Sequence, residues 1–191
     1  LQQARDDYFR FAELFLGKTL GDNLLLDKNP ALNVLLPAVA RIFPEARLLV
    51  AIRDPRDVCL SCFMQPLSLN PVSSAYLSLE GTAEQYASVM GLWRTLSPGW
   101  REAGMEIRYE DVVEDLEAAS RRVLAFLELD WNEAVLRFHE HARTKLLRSP
   151  SYAEVTKPVS KGAIGRWRHY QEHLGPYMEK LDPFIKAYGY D

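Results

Sequence analysis

An almost unbroken apolar run, ARLLVAI at residues 46–52, constrains the fold of this chain more than any other stretch. A strand that is buried on both faces of a parallel sheet has such a pattern, because neither of its faces meets water. Arg53 follows the run, and then come Asp54, a good helix cap, and Pro55, which is favoured at the first helical position. The stretch therefore predicts a buried strand that leads directly into a helix.

The rest of the chain alternates between strand and helix patterns. Two further short strands are predicted, NLLLD at 23–27 and MEIRY at 105–109. Helical patterns are predicted over 4–16, 29–44, 82–97, 114–128, 131–142, 163–174 and 177–188, with Thr82 and Gln85 as a capping box. Strands separated by helices imply right-handed βαβ units. The predicted fold class is α/β, a parallel β-sheet flanked by helices in one domain over residues 1–191.

Composition excludes some classes of function. A chain of 191 residues with a net charge of −3 is one soluble-type domain without the broad basic face that nucleic-acid binding needs. No apolar run approaches the ~20 residues that span a bilayer. With no signal-peptide pattern either, a cytoplasmic location is expected. Cys59 and Cys62 form a C-x-x-C pair, but zinc needs four ligands, so both are expected to be small packing residues.

Polar side chains follow each of the three predicted strands. Ligands of open parallel sheets bind beyond the carboxyl ends of the strands, so these groups are expected to meet at one edge. The groups are Asp27-Lys28, Arg53-Asp54 and Tyr109-Glu110-Asp111. Arg53, with Ser61 about two helical turns later, suits a terminal phosphate. The alternative, that Arg53 pairs with a nearby aspartate and Ser61 is buried, is equally compatible with the spacing.

A second cationic segment lies near the end of the chain, SKGAIGRWRHY at residues 160–170. Gly162 would let a backbone approach a ligand closely while the Lys161 amine reaches a phosphate. Arg166 and Arg168 add further cationic donors. A glycine-containing basic loop is by itself a weak signal for anion binding.

Several ordered blocks resemble one known family. They are LLLDKNPALN, FPEARLLVAIRDPRDVCLSCFMQ, IRYEDVVEDLE, WNEAVLRFHE and KPVSKGAIGRWRHYQEHLGPYMEKL. The chain resembles the sulfotransferases that use 3′-phosphoadenosine 5′-phosphosulfate (PAPS). It is most similar to the bacterial sulfotransferases often joined to tetratricopeptide repeats and more distantly similar to the tyrosylprotein sulfotransferases. The resemblance implies a sulfotransferase fold similar to that of the P-loop nucleotide hydrolases.

The resemblance also implies which residues bind the nucleotide. Arg53 and Ser61 match the pair that binds the 3′-phosphate, and Tyr109 matches a tyrosine beside the nucleotide. Lys161 and Gly162 match the loop, K-G-x-x-G-x-W, that closes over the same phosphate in cytosolic members. Two further nucleotide-binding positions are Ser160, where those enzymes usually have arginine, and Arg166, a basic position of the tyrosylprotein relatives.

Two catalytic positions are implied as well. Lys28 matches a lysine near the oxygen that bridges phosphate and sulfate, where negative charge grows as the S–O bond breaks. Ser151 falls where the tyrosylprotein enzymes have a serine near the same group, although Ser149 or Tyr152 also fits that loop. PAPS is the implied co-substrate, and no metal is implied.

One part of the family pattern is absent. The first strand and its phosphosulfate loop, roughly P-R-S-G-T-T, do not occur in this sequence. The chain is therefore expected to be the C-terminal part of a sulfotransferase, inactive alone, with tetratricopeptide repeats or other domains as further partners. The expected reaction is in-line transfer of a sulfuryl group from PAPS to a hydroxyl acceptor. The alternatives are a non-catalytic nucleotide-binding or partner-binding module, and a nucleotide kinase, whose discriminating G-x-x-x-x-G-K-[ST] loop does not occur in this sequence.

Overall fold

A computed structural model describes residues 1–29, 32–68, 70–143 and 156–191 of the chain. Its strands are β1 (Leu48–Ile52) and β2 (Gly104–Arg108). Its α-helices are α1 (Gln2–Leu16), α2 (Leu36–Ile42), α3 (Pro55–Met64), α4 (Leu79–Leu96), α5 (Tyr109–Glu114), α6 (Leu116–Phe126), α7 (Phe138–Arg143), α8 (Gln171–Leu174) and α9 (Met178–Ala187). Shorter 3₁₀ segments cover Leu32–Leu35, Ser73–Leu77, Ser97–Trp100, Glu133–Arg137, Lys161–Ala163, Arg166–Tyr170 and Gly175–Tyr177.

The sheet of the described residues consists of two parallel strands. Leu48 of β1 lies opposite Gly104 of β2, and the register continues to Ile52 opposite Arg108. The connection between them runs through α3 and α4, as a parallel pair requires. The protein is thus a helix-rich α/β structure with a small parallel sheet, as predicted. The finer likeness to the P-loop nucleotide hydrolases stays a prediction.

The strand predicted at 23–27 is wrong. This segment has no regular secondary structure, and the side chains of Leu24 and Leu26 are 62% and 74% exposed. The segment is tied instead to α1, because the Tyr8 hydroxyl donates a hydrogen bond of 2.9 Å to Asp27 Oδ2. A short apolar run becomes a strand only when a neighbouring strand receives its backbone hydrogen bonds, and here none of the described residues does so.

Local capping explains where the predicted helix boundaries hold and where they shift. Asp54 caps α3 as predicted, accepting a hydrogen bond of 2.9 Å from the Arg56 backbone N–H. The predicted capping box at Thr82 is wrong, because α4 begins earlier, with Ser78 accepting from Gly81 N at 3.0 Å. Asp115 caps α6, so the helix predicted at 114–128 begins at Leu116, while α5 before it was not predicted. The C-terminal helices are likewise shorter than predicted, interrupted by 3₁₀ turns.

Two apolar clusters fix the helices against the sheet. The first cluster is formed by Leu36, Ile52, Met90, Trp93, Trp100 and Phe184. The second is formed by Cys59, Ala83, Leu174, Leu181 and Ile185, with Trp167 packed against it. Cys59 is fully buried, both cysteines are free thiols, and burial raises the pKa of Cys59 to about 12. The prediction of a packing role is thereby confirmed for Cys59. Among the described residues, no helix combines the length and apolarity that crossing a membrane demands.

Alkaline pH is expected to destabilise the fold through Tyr188, which directly follows α9. Burial, reinforced by the charge of Glu106, raises the pKa of the Tyr188 hydroxyl from 10.0 to about 12. Between these values the unfolded chain releases the proton and the folded chain keeps it, so the free energy of unfolding falls as the pH rises. Tyr188→Phe removes this contribution. Chemical denaturation from pH 8 to 11 should show a shallower fall for the variant, and parallel curves would contradict the assignment.

Candidate functional site

The carboxyl ends of the two strands bring Arg53 and Tyr109 together. Ile52 and Arg108 are register partners, and the chain continues from them into Arg53 and Tyr109. The Arg53 guanidinium carbon lies 4.6 Å from the centre of the Tyr109 ring, a cation–π contact. Two of the three predicted polar groups therefore meet at one edge of the sheet. The third, Asp27-Lys28, follows no strand, and Lys28 is exposed on its extended segment.

A small pocket opens beside Arg53. It has a volume of about 40 Å³ and is lined by Arg53, Asp57, Leu60, Ser61, Ala163 and Arg166. Arg53 comes from the end of β1, Ser61 from the second turn of α3, and Arg166 from the C-terminal segment. Two guanidinium groups against one carboxylate give this pocket a net positive charge, which favours an anion.

The Arg53 side chain is only 20% exposed and is partly satisfied by the protein. Its Nη2 donates a hydrogen bond of 2.5 Å to the Ala163 carbonyl oxygen and lies 3.8 Å from Asp57 Oδ2. Its Nε is buried, and no acceptor among the described residues reaches it. A buried donor without a partner is costly and rare in native proteins. An anion bound beside the guanidinium would remove that cost.

Asp57 is the site residue that sequence reasoning did not single out. Its side chain is fully buried in the first turn of α3. Its Oδ2 accepts a hydrogen bond of 2.7 Å from Gly165 N, and its Oδ1 accepts one of 2.8 Å from Trp167 N. The alternative that Arg53 lies beside a nearby aspartate is therefore true, yet Ser61 lines the pocket as well. In the sequence, the spacing of four residues from Arg53 to Asp57 is the signal that could have indicated this contact.

A second network fixes the same strand end. Asp54 accepts two hydrogen bonds of 2.9 Å from the Arg56 guanidinium, which also covers the Trp167 ring at 4.0 Å. Glu110 accepts from Asp54 N at 3.1 Å and from the Tyr190 hydroxyl at 2.6 Å. Burial, with this hydrogen bond, raises the pKa of Tyr190. The network joins β1, α5 and the C-terminus of the chain around the pocket.

The remaining predicted binding residues lie on the exposed side of the C-terminal segment. Ser160, Lys161 and Gly162 are exposed, and Lys161 Nζ lies 3.9 Å from the exposed Glu114 Oε1. Arg166 is exposed too, although it lines the pocket and its Nη2 lies 3.6 Å from Met64 Sδ. The structure thus groups Arg53, Ser61, Tyr109 and Arg166. Their assignment to a nucleotide stays a prediction, as does that of the three exposed residues.

Of the two predicted catalytic residues, the structure describes only Lys28, which does not line the pocket. Lys28 is exposed on the segment beside α1. Ser151 lies outside the described residues, as do Ser149 and Tyr152. Both catalytic assignments therefore stay predictions.

These features define the class of the protein: it is an α/β protein with a cationic pocket at the carboxyl end of a parallel strand. A family model described as "Sulfotransferase family" matches residues 2–133. The chain belongs to the sulfotransferase family.

Curated relatives agree with this family at low identity. The chain is 28% identical to protein-tyrosine sulfotransferase 1 of Danio rerio, over 88% of this chain and 49% of that protein. It is 26% identical to a protein-tyrosine sulfotransferase of Drosophila melanogaster, over 87% and 34% respectively. An uncharacterized protein of Aquifex aeolicus is 24% identical, over 86% and 22%. The chain thus spans about half or less of the length of these relatives.

Gly165 should be hard to replace, because it places the segment over the pocket. Its φ of +69° is a left-handed conformation that strains any other residue, whereas an added Cβ would meet only the flexible end of Arg168, 2.1 Å from its Nη1. Gly165→Ala is expected to lower the free energy of unfolding by about 1–2 kcal/mol. Gly91→Ala is the matched control: it lies in α4 with nothing within 4 Å of the added Cβ. That control should stabilise the protein by about 0.5–1 kcal/mol. Equal effects in chemical denaturation would contradict this account of Gly165.

Proposed function

We propose that this chain carries the 3′-phosphate-binding part of a sulfotransferase that transfers a sulfuryl group from PAPS to a hydroxyl acceptor. The observation that carries the proposal is the pocket in which Arg53, Ser61 and Arg166 meet. A guanidinium fork beside a hydroxyl donor suits the oxygens of a terminal phosphate. The buried Arg53 Nε is a donor that such a phosphate oxygen would satisfy.

The pocket fits part of the nucleotide and not the whole of it. A volume of about 40 Å³ accommodates a small anionic group, so the nucleoside would lie outside the pocket. The Tyr109 ring, 4.6 Å from the Arg53 guanidinium carbon, is an aromatic surface at the same edge. Aromatic faces stack favourably on nucleobases, which supports a place for the nucleoside beside Tyr109.

The bound co-substrate would supply the sulfuryl group, and the chain would bind and orient it. Arg53, Ser61 and Arg166 would fix the nucleotide end, so that the sulfur stays in one position relative to the acceptor. Lys28 would place a positive charge near the departing phosphate oxygen, where negative charge grows as the S–O bond breaks. Ser151 keeps the role that the family resemblance implies.

The acceptor class is open to direct test. Two of the similar proteins are named as protein-tyrosine sulfotransferases. A tyrosine hydroxyl in a peptide is therefore the first acceptor to test, followed by small phenols, alcohols and carbohydrates. Tetratricopeptide repeats upstream remain part of the proposal.

A non-catalytic nucleotide-binding module is the second candidate. Lys28, the proposed catalytic residue, is exposed and does not line the pocket, whereas the proposed binding residues Arg53, Ser61 and Arg166 do. This arrangement favours binding without catalysis. Turnover of PAPS with an acceptor by the intact enzyme separates the two candidates. The nucleotide-kinase alternative gains no support, because the sequence lacks the G-x-x-x-x-G-K-[ST] loop and its G-K-T triplet, Gly17-Lys18-Thr19, follows the C-terminal end of α1. A P-loop would instead lead from a strand into the N-terminus of a helix.

Replacement of Arg53 tests the proposed phosphate site. Arg53→Ala is expected to weaken binding of 3′-phosphoadenosine 5′-phosphate roughly 10- to 100-fold, the size of lost charge-assisted hydrogen bonds. The affinity for adenosine 5′-phosphate, which lacks the 3′-phosphate, should change little. Calorimetric titration of both nucleotides measures the difference. Arg121→Ala, an exposed arginine paired with Glu117 on α6, is the matched control. If Arg53→Ala binds both nucleotides as the wild type does, the assigned site is wrong.

Replacement of Lys28 tests its proposed catalytic role. In the intact enzyme, Lys28→Ala is expected to lower kcat by roughly tenfold or more while the affinity for 3′-phosphoadenosine 5′-phosphate changes little, because its charge acts as the bond breaks. Steady-state kinetics with a measured dissociation constant separate the two effects. Lys18→Ala is the control, an exposed lysine in the turn after α1. Loss of affinity with unchanged kcat would make Lys28 a binding residue only.

A further inference from the structure

One buried carboxylate of α3 accepts hydrogen bonds from the C-terminal segment. Asp57 accepts hydrogen bonds from the backbone N–H groups of Gly165 and Trp167. We propose that Asp57 is a positioning residue of the pocket, which holds residues 163–167 at the distance from α3 where both sides line it. This inference rests on the proposed function, because the pocket is the one assigned to the 3′-phosphate.

The two hydrogen bonds to the Asp57 carboxylate are strong because the acceptor is charged and buried. An ionised carboxylate only accepts hydrogen bonds, and both oxygens of Asp57 are used, at 2.7 and 2.8 Å. Hydrogen bonds to a charged acceptor are roughly twice as strong as neutral ones. The side chain is fully buried, so departure of the segment would leave a buried charge without those two donors, which is strongly unfavourable. The segment and α3 therefore stay together as a unit.

The same contact orients Arg53. The Arg53 Nη2 donates to the Ala163 carbonyl oxygen and lies near Asp57 Oδ2, so that one acceptor belongs to the segment and one charge to α3. If residues 163–167 moved away, Arg53 would lose the Ala163 acceptor and Arg166 would leave the pocket wall. Asp57 thus acts on the pocket through Arg53 and the segment.

Direct contact between Asp57 and a bound phosphate is disfavoured. An ionised carboxylate has no proton to donate, and like charges repel at short range. The two arginines of the pocket, Arg53 and Arg166, outweigh this single negative charge. Asp57 consequently lowers the positive charge of the pocket while fixing its geometry. A site that bound anions by charge alone would not need this carboxylate.

The test compares Asp57→Asn with the wild type in two measurements. Amide hydrogen exchange by NMR reports whether the Gly165 and Trp167 N–H groups are protected. Calorimetric titration gives the ratio of affinities for 3′-phosphoadenosine 5′-phosphate and adenosine 5′-phosphate. We expect both amides to exchange at least tenfold faster in the variant. The affinity ratio should fall at least tenfold, with the affinity for adenosine 5′-phosphate nearly retained. Asp115→Asn, which changes the cap of α6, should alter neither.

Several outcomes would overturn the inference, and they differ from failure of the proposed function. Unchanged exchange at Gly165 and Trp167 would mean that the carboxylate does not hold the segment. Faster exchange with an unchanged affinity ratio, or an equal loss for both nucleotides, would leave Asp57 a stability residue only. A wild-type protein without preference for the 3′-phosphate would overturn the proposed function itself, and the inference with it. If Asp57→Asn does not fold, Asp57→Glu, which displaces the charge by one methylene, is measured with the same expectations.

Discussion

The buried carboxylate of Asp57 is the contact on which the rest of the site depends. It joins α3, which follows β1, to a segment more than a hundred residues later in the chain, through two hydrogen bonds from backbone N–H groups. This contact adds to the Arg53 hydrogen bond to Ala163 and the packing of Arg56 on Trp167, which place the same segment. A helix start and a distant loop become one pocket because a buried charge on the helix accepts its hydrogen bonds from the loop.

Much of this architecture follows from short-range rules that the sequence displays. The run before Arg53 predicts β1, and Asp54 with Pro55 predicts the start of α3, because capping and proline act within a few residues. Since parallel strands present their carboxyl ends at the same edge, the meeting of Arg53 and Tyr109 also follows from sequence. Ser61 lies two turns further along the same helix and lines the pocket for the same reason.

The parts that could not be predicted depend on contacts between distant residues. NLLLD at 23–27 has a strand-like pattern, but no described strand pairs with it and Leu26 remains 74% exposed. Thr82 is a plausible cap from its sequence, yet the helix begins earlier, with Ser78 as its cap. The Thr82 hydroxyl lies inside the helix and donates a hydrogen bond of 2.6 Å to the Ser78 carbonyl oxygen. The role of Asp57 appears only once Gly165 and Trp167 are adjacent to it, which no local pattern reveals.

A crystal structure of the protein with 3′-phosphoadenosine 5′-phosphate tests the central claim most directly. The account predicts the 3′-phosphate in the pocket between α3 and residues 163–167. Its oxygens should lie about 2.7–3.1 Å from an Arg53 guanidinium nitrogen and from Ser61 Oγ, the normal range for such hydrogen bonds. The Asp57 contacts to Gly165 and Trp167 should be intact. A nucleotide bound elsewhere, or a 3′-phosphate that leaves Arg53 untouched, would contradict the account.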